Sequence, residues 1–198
     1  MKRSLVLLVF SVILVTSPVA AETSFSILGS YWDTDGLEEL TGGGVRGSFG
    51  GPVWGIDFTG MIYGEESFSV TSGDDTAFFE IETHLLELGV RRYVGPNRPG
   101  LRTYLGGGLS MIRLDPNFRP EIDTEIGVYG LLGFEVGRGR TAFVAEVFYR
   151  DVSLTMDLND LPDFVWINLG FNLDRQARFD LDMTGVGVNV GLIFRPRR

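Results

Sequence analysis

The chain closes with "GVGVNVGLIFRPRR", in which Val186, Val188, Val190, Leu192 and Phe194 share one parity while Gly185, Gly187, Asn189, Gly191 and Ile193 share the other. Successive side chains of a β-strand point to opposite faces, so this segment has one apolar face and one that is almost bare. The apolar face must meet either a soluble core or lipid. The same period of two recurs from Glu22 onward, near residues 24 to 32, 43 to 49, 53 to 63, 77 to 93, 101 to 113, 125 to 137, 141 to 153 and 180 to 194. About eight antiparallel strands of this kind fit an up-and-down barrel whose interior is filled by side chains.

The connections alternate in length. "GGP" at 50 to 52, "VGPNRPG" at 94 to 100 and "GRGR" at 137 to 140 are short, whereas the segments near 33 to 42, 64 to 76, 114 to 124 and 154 to 179 are long. Short turns at one end and longer loops at the other are the pattern of a membrane-spanning barrel. Residues 163 to 173, within "DFVWINLGFNLD", also alternate. A ninth strand would send the two termini to opposite ends, so an ordered excursion within the last long loop is expected there.

Alternation alone fits a soluble ligand-binding barrel as well as a membrane barrel, and the contents of each face must decide between them. The polar parity carries Arg46, Asp57, Glu87, Arg91, Arg102, Glu135, Glu146 and Arg150 among many glycines. Charges of both signs among tiny residues suit a crowded lumen with internal pairing. On the apolar parity, Phe49, Trp54, Phe134, Phe143 and Phe194 lie where strands meet the short turns, and Tyr31 and Tyr149 lie toward the other end. Two aromatic bands around an aliphatic belt match the interfacial girdles of a membrane barrel. Acidic residues such as Asp33, Glu65, Asp123 and Asp160 crowd the long connections, while Arg98, Arg138, Arg140, Arg195, Arg197 and Arg198 occupy the turns and tail. Arginines at the turn end are expected beside anionic phospholipid headgroups.

The N-terminus reads as a secretory signal. Lys2 and Arg3 precede "LVLLVFSVILV" and the small residues of "SPVAA", with cleavage expected after Ala21. This gives a signal peptide over 1–21 and one domain over 22–198. Without Lys2 and Arg3 the 17 basic residues fall to 15 against 26 acidic ones, a formal charge of −11 that argues against nucleic acid as a partner. There is no cysteine, which excludes disulfides, thiolate catalysis and Cys-ligated metal.

With "RTYLGGGLSM", "TAFVAEVFYRD" and "TGVGVNVGLIF", the chain resembles the small outer-membrane β-barrel family that includes OmpA-type and OmpX-type barrels. The resemblance spans the mature chain and rests on patterns rather than catalytic residues. It implies an eight-stranded barrel in the outer membrane of a Gram-negative bacterium, surrounded by membrane lipid and lipopolysaccharide and inserted as a monomer by the barrel assembly machinery. That machinery reads a last strand ending in an aromatic residue; here Phe194 is followed by "RPRR".

Some barrels of this size are His-dependent enzymes. The single histidine, His84, shares its parity with Leu86, Leu88 and Val90 and has no serine neighbour in sequence, so it reads as an interfacial polar residue. Asp74 and Asp75, or Asp157, Asp160 and Asp163, lack the spacing of a dedicated calcium loop. No catalytic, cofactor or metal site is therefore expected. The leading expectation is a non-enzymatic barrel for envelope integrity or surface contact, such as adhesion. A narrow porin-like channel or carrier for small solutes is the alternative, and a lipid-modifying enzyme stands third.

Overall fold

The structure, a computed structural model, describes residues 22–35, 39–72, 75–98, 100–116, 124–137, 139–157 and 178–196. The strands are β1 (Glu22–Thr34), β2 (Leu40–Gly50), β3 (Trp54–Ser72), β4 (Asp75–Arg98), β5 (Leu101–Pro116), β6 (Glu125–Val136), β7 (Thr141–Asp151), β8 (Ser153–Asp157), β9 (Arg178–Asp182) and β10 (Gly185–Phe194). Eight of them form a closed antiparallel barrel in which each strand pairs with its neighbour in sequence, apart from β8 and β9. Closure comes from β1 against β10, in register from Phe25↔Phe194 to Thr34↔Gly185. A closed barrel leaves no strand edge, so every backbone donor along the ladder has a partner without water.

Tight turns gather at the end that also holds Glu22 and Phe194. The Gly51 amide donates to the Trp54 carbonyl at 2.7 Å, closing the β2–β3 turn. Gly100 and Gly139 have φ of 92° and 81°, a left-handed conformation that costs glycine nothing, and each sits in one of the other turns.

Several expected boundaries move. "VGPNRPG" is mostly strand, because β4 continues to Arg98, which pairs with Leu101 after a register shift beyond Val94. The segment near 64 to 76 is largely a hairpin extension, with β3 and β4 paired as far as Ser72↔Asp75 beyond an irregularity between Tyr63 and Glu66. The last strand, expected as one piece from 180, is broken. β8 and β9 form a separate two-stranded ribbon, and Met183 and Thr184 interrupt the path into β10. The Thr184 amide donates to Asp182 Oδ1 at 2.9 Å. Hydrogen bonds from the Thr184 side chain and backbone hold the Asp182 carboxyl below its ordinary range. Residues 163 to 173 and residues 1–21, expected as a signal peptide, lie outside the described residues.

Burial is inverted relative to a soluble protein. Ile27, Val45, Phe58, Leu86, Leu105, Leu132, Val147 and Val190, one from each barrel strand, are exposed, whereas Arg46, Glu87, Glu146 and Arg150 are at most 3% exposed. An apolar surface running round the whole barrel far exceeds the patches that soluble monomers tolerate. Reading the charged set as the water-facing side would leave its burial unexplained.

Candidate functional site: a charge-paired lumen

Side-chain alternation sends Arg46 from β2, Glu87 from β4 and Glu146 and Arg150 from β7 into the same narrow interior, where ion pairs cross between strands that are not neighbours. At mid-height the Arg46 guanidinium grips Glu146. Nη2 donates to Oε2 at 2.8 Å, and Nη1 lies against Oε1. Tyr104 Oη donates to Oε1 of the same carboxylate at 2.6 Å, and Asn189 Nδ2 donates to Oε2 at 2.8 Å. Arg46 Nε donates to Thr59 Oγ1 at 3.0 Å. A buried charge is tolerated when its partner and its remaining hydrogen-bonding capacity are both supplied, and here they are.

Toward the long-loop end a second unit forms around Arg150. Its Nε donates to Glu87 Oε1 at 2.8 Å and its Nη1 to Tyr63 Oη at 2.9 Å. Ser110 Oγ donates to the same Glu87 oxygen at 3.3 Å. The guanidinium carbon is 3.8 Å from the Phe148 ring centroid and 4.7 Å from that of Trp32, so aromatic faces supply negative potential where carboxylates do not reach. Above this unit, Trp32, Leu40, Leu85, Ile112, Val152, Leu154, Leu181 and Met183 belong to one buried apolar cluster. The β8–β9 ribbon contributes Leu154 and Leu181, and the two flanking breaks contribute Val152 and Met183. The interruption that sequence alternation concealed thus adds its own side chains to the buried apolar cluster.

The third unit sits at the turn end and is centred on Glu135. Arg91 Nη1 approaches Oε1 at 3.3 Å, Tyr93 Oη donates to it at 2.9 Å, and Arg195 Nη2 donates to Oε2 at 2.5 Å. Arg102 lies 3.9 Å from both Glu135 and Glu22, with its guanidinium 3.7 Å from the Tyr93 ring centroid. Asp57 and Arg91 are 3.3 Å apart, an ion pair without hydrogen-bond alignment, since Asp57 Oδ1 has no hydrogen-bond partner. A shallow pocket lined by Glu22, Ser48, Arg91, Arg102, Glu135 and Arg195 opens at this mouth.

All eight charged positions singled out by parity therefore line the interior, with Arg102 the most exposed of them at 22%. Tyr63, Tyr93, Tyr104 and Asn189 complete the network and were not singled out, although Tyr93 and Tyr104 each lie two positions from a lumen arginine, Asn189 shares the parity of Gly187 and Gly191, and Tyr63 shares that of Asp57 six positions away. Arg195 differs from expectation. It turns inward to cap the lumen instead of facing headgroups, because Glu135 would otherwise have only Arg91 and the more distant Arg102 to balance it.

The aromatic set lies on the outer surface: Phe49, Trp54, Phe134, Phe143, Tyr149 and Phe194 are exposed and Tyr31 is half-buried. His84 is also outside, 3.3 Å from Glu82. Among the described residues no group of three or more His, Asp or Glu side chains is placed to hold a metal ion.

No family model matches the chain, and no curated protein matches it. Solved structures do. Neisserial surface protein A (NspA) superposes with a TM-score of 0.55 at 11% identity, over 89% of this chain and 97% of that one. Outer membrane protein W of Escherichia coli gives 0.53 at 12% identity, over 91% and 100% of the two chains. The N-terminal β-barrel domain of Pseudomonas aeruginosa OprF gives 0.50 at 12% identity, over 89% and 100%. At these identities the likeness is one of fold.

Proposed function

The chain has the fold of the small eight-stranded outer-membrane β-barrels, and we propose that it resides in the outer membrane as a non-enzymatic, non-conducting protein that acts through its surfaces. In this reading residues 1–21 direct secretion and are removed. The turn end faces the periplasm, and the long connections face outward for envelope integrity or surface contact. The observation that carries the proposal is the lumen itself. Three ion-paired units cross the lumen, and buried apolar side chains pack beyond them toward the long-loop end. A conducting barrel keeps charged groups around water, whereas here the carboxylates and guanidinia neutralise one another at contact distance. His84 supports the non-enzymatic part of the reading, since strand alternation places it on the outer wall beside Glu82 and apart from the lumen network.

The test is conductance. Purified, folded protein in a planar bilayer should give no discrete current steps, and proteoliposomes should not swell in small sugars. Reproducible steps or swelling at the level of a control porin would overturn the closed-lumen reading and favour a channel or carrier.

A further inference from the structure

The lumen arginines Arg46, Arg91, Arg102, Arg150 and Arg195 all have carboxylate partners. Arg92 does not. Being one residue on from Arg91, it points to the opposite face and is exposed on the outer wall, where no carboxylate of the described residues reaches it. Its contact is the ring of Trp54, its cross-strand partner, with the guanidinium carbon 5.3 Å from the centroid. The surroundings are apolar. Phe49, Val53 and Trp54 at the β2–β3 turn are 56%, 50% and 53% exposed, and Leu105, the partner of Arg92 on β5, is 51% exposed. The Tyr93 amide donates to the Val53 carbonyl at 2.9 Å, fastening that turn beside β4 and holding Trp54 under Arg92.

A cation whose described neighbours on a lipid-facing wall are apolar is costly there unless an anion meets it. Trp54 marks the height of the membrane interface, where amphipathic rings settle among headgroups. The geometry points to a specific site for an anionic glycerophospholipid at the turn end of the barrel. Arg92 takes the headgroup phosphate, the Trp54 ring braces the guanidinium from beneath, and an acyl chain lies along the wall by Ile56 and Leu105. The inference rests on the membrane reading above, but it is narrower. It names one cation and one net-negative lipid as partners, where a diffuse basic rim would serve any anionic surface.

Quenching of Trp54 by brominated lipid tests it. The full chain is reconstituted in vesicles of unlabelled phosphatidylcholine containing a small fraction of either brominated phosphatidylglycerol or brominated phosphatidylcholine. The Trp54 signal is isolated by subtracting the same measurement on Trp54→Phe. One arginine near a charged surface is worth roughly a fivefold enrichment, so the phosphatidylglycerol probe should quench Trp54 as if its local fraction were about five times that of the phosphatidylcholine probe. Arg92→Lys should keep the preference, because a point charge still attracts phosphate, and Arg92→Gln should make the two probes equal. Equal quenching by both probes in the unmodified protein, or a preference that survives Arg92→Gln, would overturn the site while leaving the membrane reading intact. Absence of quenching by either probe would instead sink the membrane reading, and the site with it.

Discussion

Arg46 and Glu146 are 100 residues apart in sequence, on strands that are not neighbours, yet they meet as a two-pronged ion pair through the middle of the barrel. The pair is dry. With Tyr104 and Asn189 occupying further carboxylate lone pairs, the oxygens have no need of solvent. Such a contact ties the β2 and β7 walls together across the lumen.

Removing one partner should therefore cost more than removing both. Glu146→Gln leaves the Arg46 charge uncompensated and is expected to cost about 3–5 kcal/mol, read from urea unfolding in lipid vesicles. Adding Arg46→Met to Glu146→Gln should recover most of that loss, because the glutamine oxygen can still accept from Asn189 while its NH2 donates to the Tyr104 hydroxyl. A single-variant loss below about 1 kcal/mol would show that water reaches the pair.

Two glycines on β6 give a contrast in packing. A methyl group at Gly133 would lie 2.5 Å from Tyr104 Cζ and 2.7 Å from its hydroxyl, so Gly133→Ala must displace the ring that donates to Glu146. A loss of about 1–3 kcal/mol is expected from this overpacking. At Gly130, on the outer face, the nearest atom would be 4.0 Å away, and Gly130→Ala should change stability by less than about 0.5 kcal/mol. Equal effects in the same unfolding assay would contradict the crowded lumen.

Facing can be read directly because the chain has no cysteine. Leu132 is 52% exposed on the outer wall, while Leu131 packs against the buried cluster. A fluorophore on Leu132→Cys should be strongly quenched by brominated lipid and one on Leu131→Cys only weakly. The reverse order would mean a register shifted by one residue, which exchanges the two faces.

Closure should be visible on a gel. The β1–β10 seam leaves no edge from which detergent can begin to unzip the sheet, so unheated protein should migrate differently from boiled protein. Identical mobility before and after boiling would argue against a closed barrel.

Alternation in the sequence by itself determined which side chains share a face. A strand has a period of two whatever surrounds it, so Arg46 had to side with Ser48 and against Val45, and Leu132 with Phe134 and against Glu135. The barrel fold and its eight closing strands were legible from the same signal together with the spacing of the short turns. Partnerships within the lumen were not. Which carboxylate meets Arg46 depends on closure and on the stagger of strands across the interior, neither of which leaves a local pattern. Tyr63, Tyr104 and Asn189 looked unremarkable for that reason, and Arg195 looked like a surface residue until the mouth of the lumen placed Glu135 beside it. The break at Met183 and Thr184 was hidden as well, because both sides of it keep their alternation. Only the three-dimensional path shows that Val152, Leu154, Leu181 and Met183 are buried in one cluster, with the Met183 amide donating to the Val152 carbonyl across the break at 2.9 Å.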